Sequence, residues 1–105
     1  MKRRILNVFL LVLLSSSLFA SVNIKGKVVE GSTQLPLEFV NVVLYQVGST
    51  LPLVGVATDK NGIFNIITDV KGKYLIRISM IGYQPVEKQI NIDKSSIDLG
   101  IISLK

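Results

Sequence analysis

Apolar and polar residues alternate along most of the chain, in short runs separated by turn residues. The clearest run is Tyr74 to Ile81, where Ile76, Ile78 and Met80 share one face and Arg77 and Ser79 the other. A period of two is that of a strand, whose successive side chains point to opposite sides. The same pattern predicts a first strand over Asn23 to Glu30, with Ile24, Gly26 and Val28 opposed to Lys25 and Lys27. A second is predicted over Glu38 to Gln46 and a third over Leu53 to Thr58. A fourth covers Ile63 to Thr68, with Phe64 and Ile66 together on the core side. A sixth, Val86 to Ile92, turns Ile90 and Ile92 inward and Glu87 and Gln89 outward. The seventh is Ile97 to Leu104, where Gly100 breaks the alternation and predicts a bulge. The second strand is less clean. Val40, Val42 and Leu44 form one face, but Phe39, Val43 and Tyr45 are also apolar, so cover on both sides is expected in part. Phe39 and Tyr45 are then either a second buried side or a partner surface. Seven strands spaced about 8–12 residues apart predict an all-β fold, a seven-stranded β-sandwich.

The turns set the register. Thr58-Asp59-Lys60-Asn61-Gly62-Ile63-Phe64 places Asn-Gly between two apolar runs, the strongest short-range hairpin signal. Gly62 can take φ > 0 without a Cβ clash, and Asn61 tolerates that region better than most residues. Asp59 can accept bonds from the backbone N–H groups of the turn. The expectation is a hairpin joining the third and fourth strands. Gly31 to Pro36 is a loop that ends at Pro36, which cannot donate to a ladder. Gly82-Tyr83 forms a corner closed by Pro85. There Tyr83 is expected to pack its ring and bond its hydroxyl to backbone; the functional alternative is a contact to sugar or peptide.

The start of the chain reads differently. Met1-Lys2-Arg3-Arg4 is basic, Ile5 to Leu14 is apolar, and Ser15 to Ala20 brings small residues. That order is a secretory signal peptide over residues 1–20, with cleavage after Ala20 or within a few residues of it. An uncleaved anchor is the alternative, but the apolar core is short of the roughly 20 residues a helix needs to span a bilayer. The mature chain, residues 21–105, is one small domain without a transmembrane segment. Removing Lys2, Arg3 and Arg4 leaves nine basic residues against seven acidic ones, so the basic character of the whole belongs largely to the leader. No basic stripe is interleaved with aromatics, which disfavours nucleic acid as a partner.

Candidate chemistry is sparse. The chain has no cysteine, so an exported domain of this size is held by its core alone. It has no histidine, which removes His-based triads and the common zinc sites. Asp59-x-Asn61-Gly62 is similar to the middle of a calcium loop. Aligned on Gly62, however, that loop would need ligands where Ala57 and Thr68 stand, so a turn is the better reading. Glu30, Glu38, Asp59 and Asp69 read as solvated loop carboxylates, and Ser95-Ser96 has no base to activate it. The expectation is no catalytic residue, no metal site and no cofactor.

Several of these blocks together carry a family resemblance. They are Gly26-Lys27-Val28, Pro36-Leu37 with Val40-Asn41-Val42, Gly55 to Phe64, and Leu75 to Tyr83 ending in Ile81-Gly82-Tyr83. The mature chain resembles the carboxypeptidase regulatory-like domain, a transthyretin-like (prealbumin-like) Greek-key sandwich. The resemblance implies structural roles for Asp59, Asn61, Gly62, Phe64, Gly82 and Tyr83, and it implies no enzyme. It also implies a setting, because such domains commonly stand at the N-terminus of TonB-dependent outer-membrane receptors of the SusC type. The expected function is therefore a non-catalytic periplasmic module, the N-terminal extension or a stand-alone relative of such a receptor. Its partner would be an envelope protein or the remainder of a receptor chain, and its location the periplasm beside the outer membrane. A small secreted carbohydrate-binding module is the alternative, though Trp is absent and no stacking platform is visible. Few charges guard the last strand, so its edge, with Ile97, Leu99, Ile101 and Ile102, is the expected interaction site.

Overall fold

The computed structural model describes residues 21–105. The segment read as an export signal lies outside them. Seven strands form: β1 (Val22–Glu30), β2 (Asn41–Gln46), β3 (Pro52–Ala57), β4 (Ile63–Thr68), β5 (Gly72–Ser79), β6 (Val86–Ile92) and β7 (Ser96–Leu104). They make two facing sheets, β4-β1-β7 and β3-β2-β5-β6. No helix occurs among the described residues, so none is long and apolar enough to cross a membrane.

The core lies where the period of two places it. Val22, Ile24 and Val28 of β1, Phe64 and Ile66 of β4, and Ile102 and Leu104 of β7 point inward from one sheet. Val42 and Leu44, Ile76 and Ile78, and Ile92 meet them from the other. Each such side chain contributes on the order of 2 kcal/mol through burial, and in a disulfide-free domain these contributions hold the fold. Gly26 sits opposite Phe64 across the β1–β4 ladder. A Cβ there would lie 2.7 Å from the Phe64 ring, so the missing side chain makes room for the aromatic. Gly100, at φ 71°, supplies the expected bulge: Lys25 pairs with Asp98 but Lys27 with Ile101, one extra residue on β7. The bulge explains why Ile97, Leu99, Ile102 and Leu104 all turn inward although the alternation breaks between them.

Three expectations are corrected. First, the Asn61-Gly62 turn does not join a hairpin. β3 pairs with β2, and β4 pairs with β1 in the other sheet. The turn itself is tight: Gly62 N–H donates to the Asp59 carbonyl at 2.9 Å, and Asp59 N–H to the Ile63 carbonyl at 3.0 Å. Beyond it the strands part, because each buries its apolar face only by joining a different sheet. Second, the second strand begins at Asn41 rather than Glu38. Phe39 adopts φ 64°, outside the strand region, and the preceding residues form a crossover between sheets. Third, Phe39 is no second buried face; it is 70% exposed, while Val43 and Tyr45 are half-buried.

Candidate functional site

The antiparallel and parallel ladders place the loops after β1, β3 and β5 at one end of the sandwich, together with the end of β7. Asp59, Asn61, Gly62, Gly82 and Tyr83 meet there, whereas Asp69 and Ser95-Ser96 lie at the opposite end, beside the start of β1.

Asp59 organises the first part of this end. Its Oδ1 accepts the N–H of Asn61 at 2.8 Å and that of Ile63 at 3.0 Å. That carboxylate oxygen is therefore engaged by its own turn. Gly62 stands at φ 75° and its carbonyl accepts the Val28 N–H at 2.7 Å. A Cβ at this position would collide with the Val28 carbonyl oxygen and crowd Pro36 and Leu37, so the glycine is required twice over. Phe64 follows as a core residue.

Thr58 is the group that sequence reasoning missed. It is 2% exposed, and its hydroxyl donates to the Leu37 carbonyl at 2.6 Å while accepting the Val40 N–H at 2.9 Å. Two backbone bonds, Thr58 N–H to the Val40 carbonyl and Phe39 N–H to the Thr58 carbonyl, complete a clamp on the crossover. A threonine at the end of a strand is an ordinary β residue in sequence; only its partners 18 and 21 positions away reveal the role.

The second part of this end is Glu30 with Tyr83. The Tyr83 hydroxyl donates to Glu30 Oε2 at 2.5 Å, while Ser32 and Thr33 donate to Oε1 at 3.1 and 3.0 Å. Tyr83 thus bonds a carboxylate rather than backbone, and Glu30 is not a free solvated acid. Gly82, at φ 92°, turns the chain so that the ring reaches β1. The tyrosine bond, followed by those of Thr33 and Ser32, holds the Glu30 carboxyl below its ordinary value. The same bond pushes the Tyr83 phenol above its own ordinary value. A carboxylate with three donors and a lowered pKa is a poor proton acceptor, and a phenol held neutral is a poor nucleophile. The pair lines an open groove with Gly31, Ser32, Leu104 and Lys105. Lys105 is tied in by its carbonyl, which accepts the Gln84 N–H at 2.8 Å. Among the described residues no cluster of three metal-ligating side chains occurs.

β7 is an outer strand, parallel to β1. Of the residues predicted for its edge, Ile97 and Leu99 are half-buried against the core and Ile102 is 3% exposed. Ile101 alone is exposed, at 66%. Gly31 N–H donates to the Leu104 carbonyl, so Leu104 and Ile102 direct their backbone groups at β1. By alternation Ile101 and Ser103 direct theirs away from it. A shallow hollow lies beside Ile101 on the outer face, bounded by Lys25, Lys27, Ile63 and Asp98.

Comparison with solved structures places this sandwich among several others. The Bacillus anthracis TIE protein matches with a TM-score of 0.67 and 17% identity, over 82% of this chain and 16% of that one. BcpA, the major pilin subunit of Bacillus cereus, matches with a TM-score of 0.64 and 13% identity, over 82% of this chain and 30% of that one. Klebsiella pneumoniae 5-hydroxyisourate hydrolase matches with a TM-score of 0.59 and 18% identity, over 80% of this chain and 91% of that one. At these identities the likeness is one of fold, and the chain spans about a sixth of the TIE protein and under a third of the pilin subunit. No curated protein matches the chain. Residues 24–104 match the family model of the CarboxypepD_reg-like domain, and the chain with its Asp59–Gly62 corner and Gly82-Tyr83 turn belongs to that family.

Proposed function

We propose that this carboxypeptidase regulatory-like domain is a non-catalytic docking module of the periplasm. In this reading it is the N-terminal extension, or a stand-alone relative, of a TonB-dependent outer-membrane receptor. The observation that carries the docking role is the outer edge of β7, where Ile101 is exposed and the backbone groups of Ile101 and Ser103 face away from β1. An extended segment of a partner can add there as a further strand, with main-chain bonds giving affinity and the hollow beside Ile101 taking a side chain. The non-catalytic reading is supported by the site chemistry. Asp59, Thr58 and Glu30 are each committed to structural hydrogen bonds, and histidine and cysteine are absent from the sequence.

The test is a photo-crosslinking residue at Ser103, exposed beside Ile101, in cells that export the protein. The expected product is a single adduct with an outer-membrane receptor chain, identified by mass spectrometry and lost on Ile101→Pro. That proline removes an outward N–H and leaves the β1 ladder intact, whereas a proline at Ile102 would break the ladder and the core together. An adduct that persists in a folded Ile101→Pro variant would refute docking along β7.

A further inference from the structure

Of the four outer strands, three carry devices that confine pairing to part of their length. β3 starts at Pro52 and shifts register against β2 between Leu44 and Tyr45. β6 exposes Glu87 and Lys88, and β7 carries Asp98 and the Gly100 bulge, which leave open only its last residues from Ile101 onward. β4 has none of these. Ile63-Phe64-Asn65-Ile66-Ile67-Thr68 contains no charge, proline or glycine, and its ladder with β1 runs without a break. Such a segment on an open edge is a ready template for another strand.

The backbone shows which groups are available. Val28 N–H donates to the Gly62 carbonyl, so Gly62 faces β1. In an antiparallel ladder direction alternates by residue, so Phe64 and Ile66 also face β1, while Ile63, Asn65 and Ile67 face away. The outward groups of Ile63 are already occupied: Asp59 Oδ1 accepts its N–H and the Asp59 N–H bonds its carbonyl. Asp59 thus closes the upper part of the edge and leaves Asn65 and Ile67.

We propose that this short open edge of β4 pairs antiparallel with β4 of a second copy of the chain. A two-fold axis beside Ile66 sets Asn65 of each copy opposite Ile67 of the other. Four main-chain bonds form, all from groups that already point outward, and the two three-stranded sheets become one of six. Ile66 then faces its counterpart on the inner side, and on the outer side Ile67, 65% exposed in the single chain, gains a cross-strand neighbour. The self-pairing sets no like charges opposite one another over β4, and the strand's lack of charge favours an equally uncharged partner, which β4 itself is. This inference uses a different edge from the docking role of β7 and stands without it.

Two double variants test it on the exported, purified chain by sedimentation equilibrium. Both substitute exposed positions on the outer face. Asn65→Lys with Ile67→Lys sets lysine opposite lysine twice and should weaken association about tenfold or more relative to wild type. Asn65→Lys with Ile67→Glu sets lysine opposite glutamate twice and should associate at least as well as wild type. Amide hydrogen exchange supplies the second measurement. Protection at Asn65 and Ile67 should rise with protein concentration, while Ile63, bonded to Asp59, stays protected throughout. A wild-type chain that remains monomeric at millimolar concentration overturns the proposal. So does equal association of the two variants, or protection at Asn65 and Ile67 that ignores concentration.

Discussion

Replacing Thr58 by valine isolates the clamp at the loop end. Valine keeps the shape of threonine, so the core suffers no cavity and the change is confined to the hydroxyl. The Val40 N–H, buried with its residue, loses its acceptor at 2.9 Å, and an unpaired buried donor costs about 1–3 kcal/mol. The Leu37 carbonyl loses its donor at 2.6 Å, roughly 1 kcal/mol more. The sum is about 2–4 kcal/mol, set against the 5–15 kcal/mol typical of a whole domain. For a domain of this size each kcal/mol moves the midpoint by about 4–8 °C, so the melt should fall by roughly 8–32 °C. Thr58→Ser is the control. It keeps the hydroxyl and loses one methyl, worth about 1 kcal/mol, or some 4–8 °C. Circular dichroism melts of the three proteins measure both. If valine melted within a few degrees of wild type, or serine cost more than valine, the hydroxyl would not be what holds the crossover.

Two glycines with nearly equal φ separate backbone strain from collision. Gly100→Ala, at φ 71° with open space around it, should lose about 1–2 kcal/mol, the left-handed cost alone. Gly62→Ala, at φ 75° against the Val28 carbonyl, should lose at least about 3 kcal/mol in urea unfolding; equal losses would contradict the packing described. Tyr83→Phe should raise the Glu30 pKa toward its ordinary value, read by carboxyl carbon NMR. Because the folded Glu30 pKa is lowered, its contribution to stability is complete above the unfolded pKa and fades as pH falls through the folded one. The raised Tyr83 pKa works in the opposite direction, its contribution fading as pH rises through the folded value. The variant should therefore flatten both the acid and the alkaline dependence of the melt, and an unchanged Glu30 titration would show that the tyrosine bond is not its main cause.

The strands were legible in the residues because alternation is a local property. A buried face needs an apolar side chain at every second position, so Phe64 with Ile66 and Ile76 with Ile78 announce themselves wherever their strands end up. Gly100 and Gly62 were legible for a similar reason: a left-handed φ excludes most other residues at that one position. Pairing was not legible. The bonds of the Asp59–Ile63 turn are the same whether the flanking strands join each other or part into separate sheets. That choice depends on which distant neighbour covers Phe64, and Gly26 on β1 has the gap. Thr58 with Leu37 and Val40, and Glu30 with Tyr83 across 53 positions, belong to the same class. Their side chains are ordinary polar groups in the chain, and they acquire a role only when the two sheets close and bring these distant partners within reach.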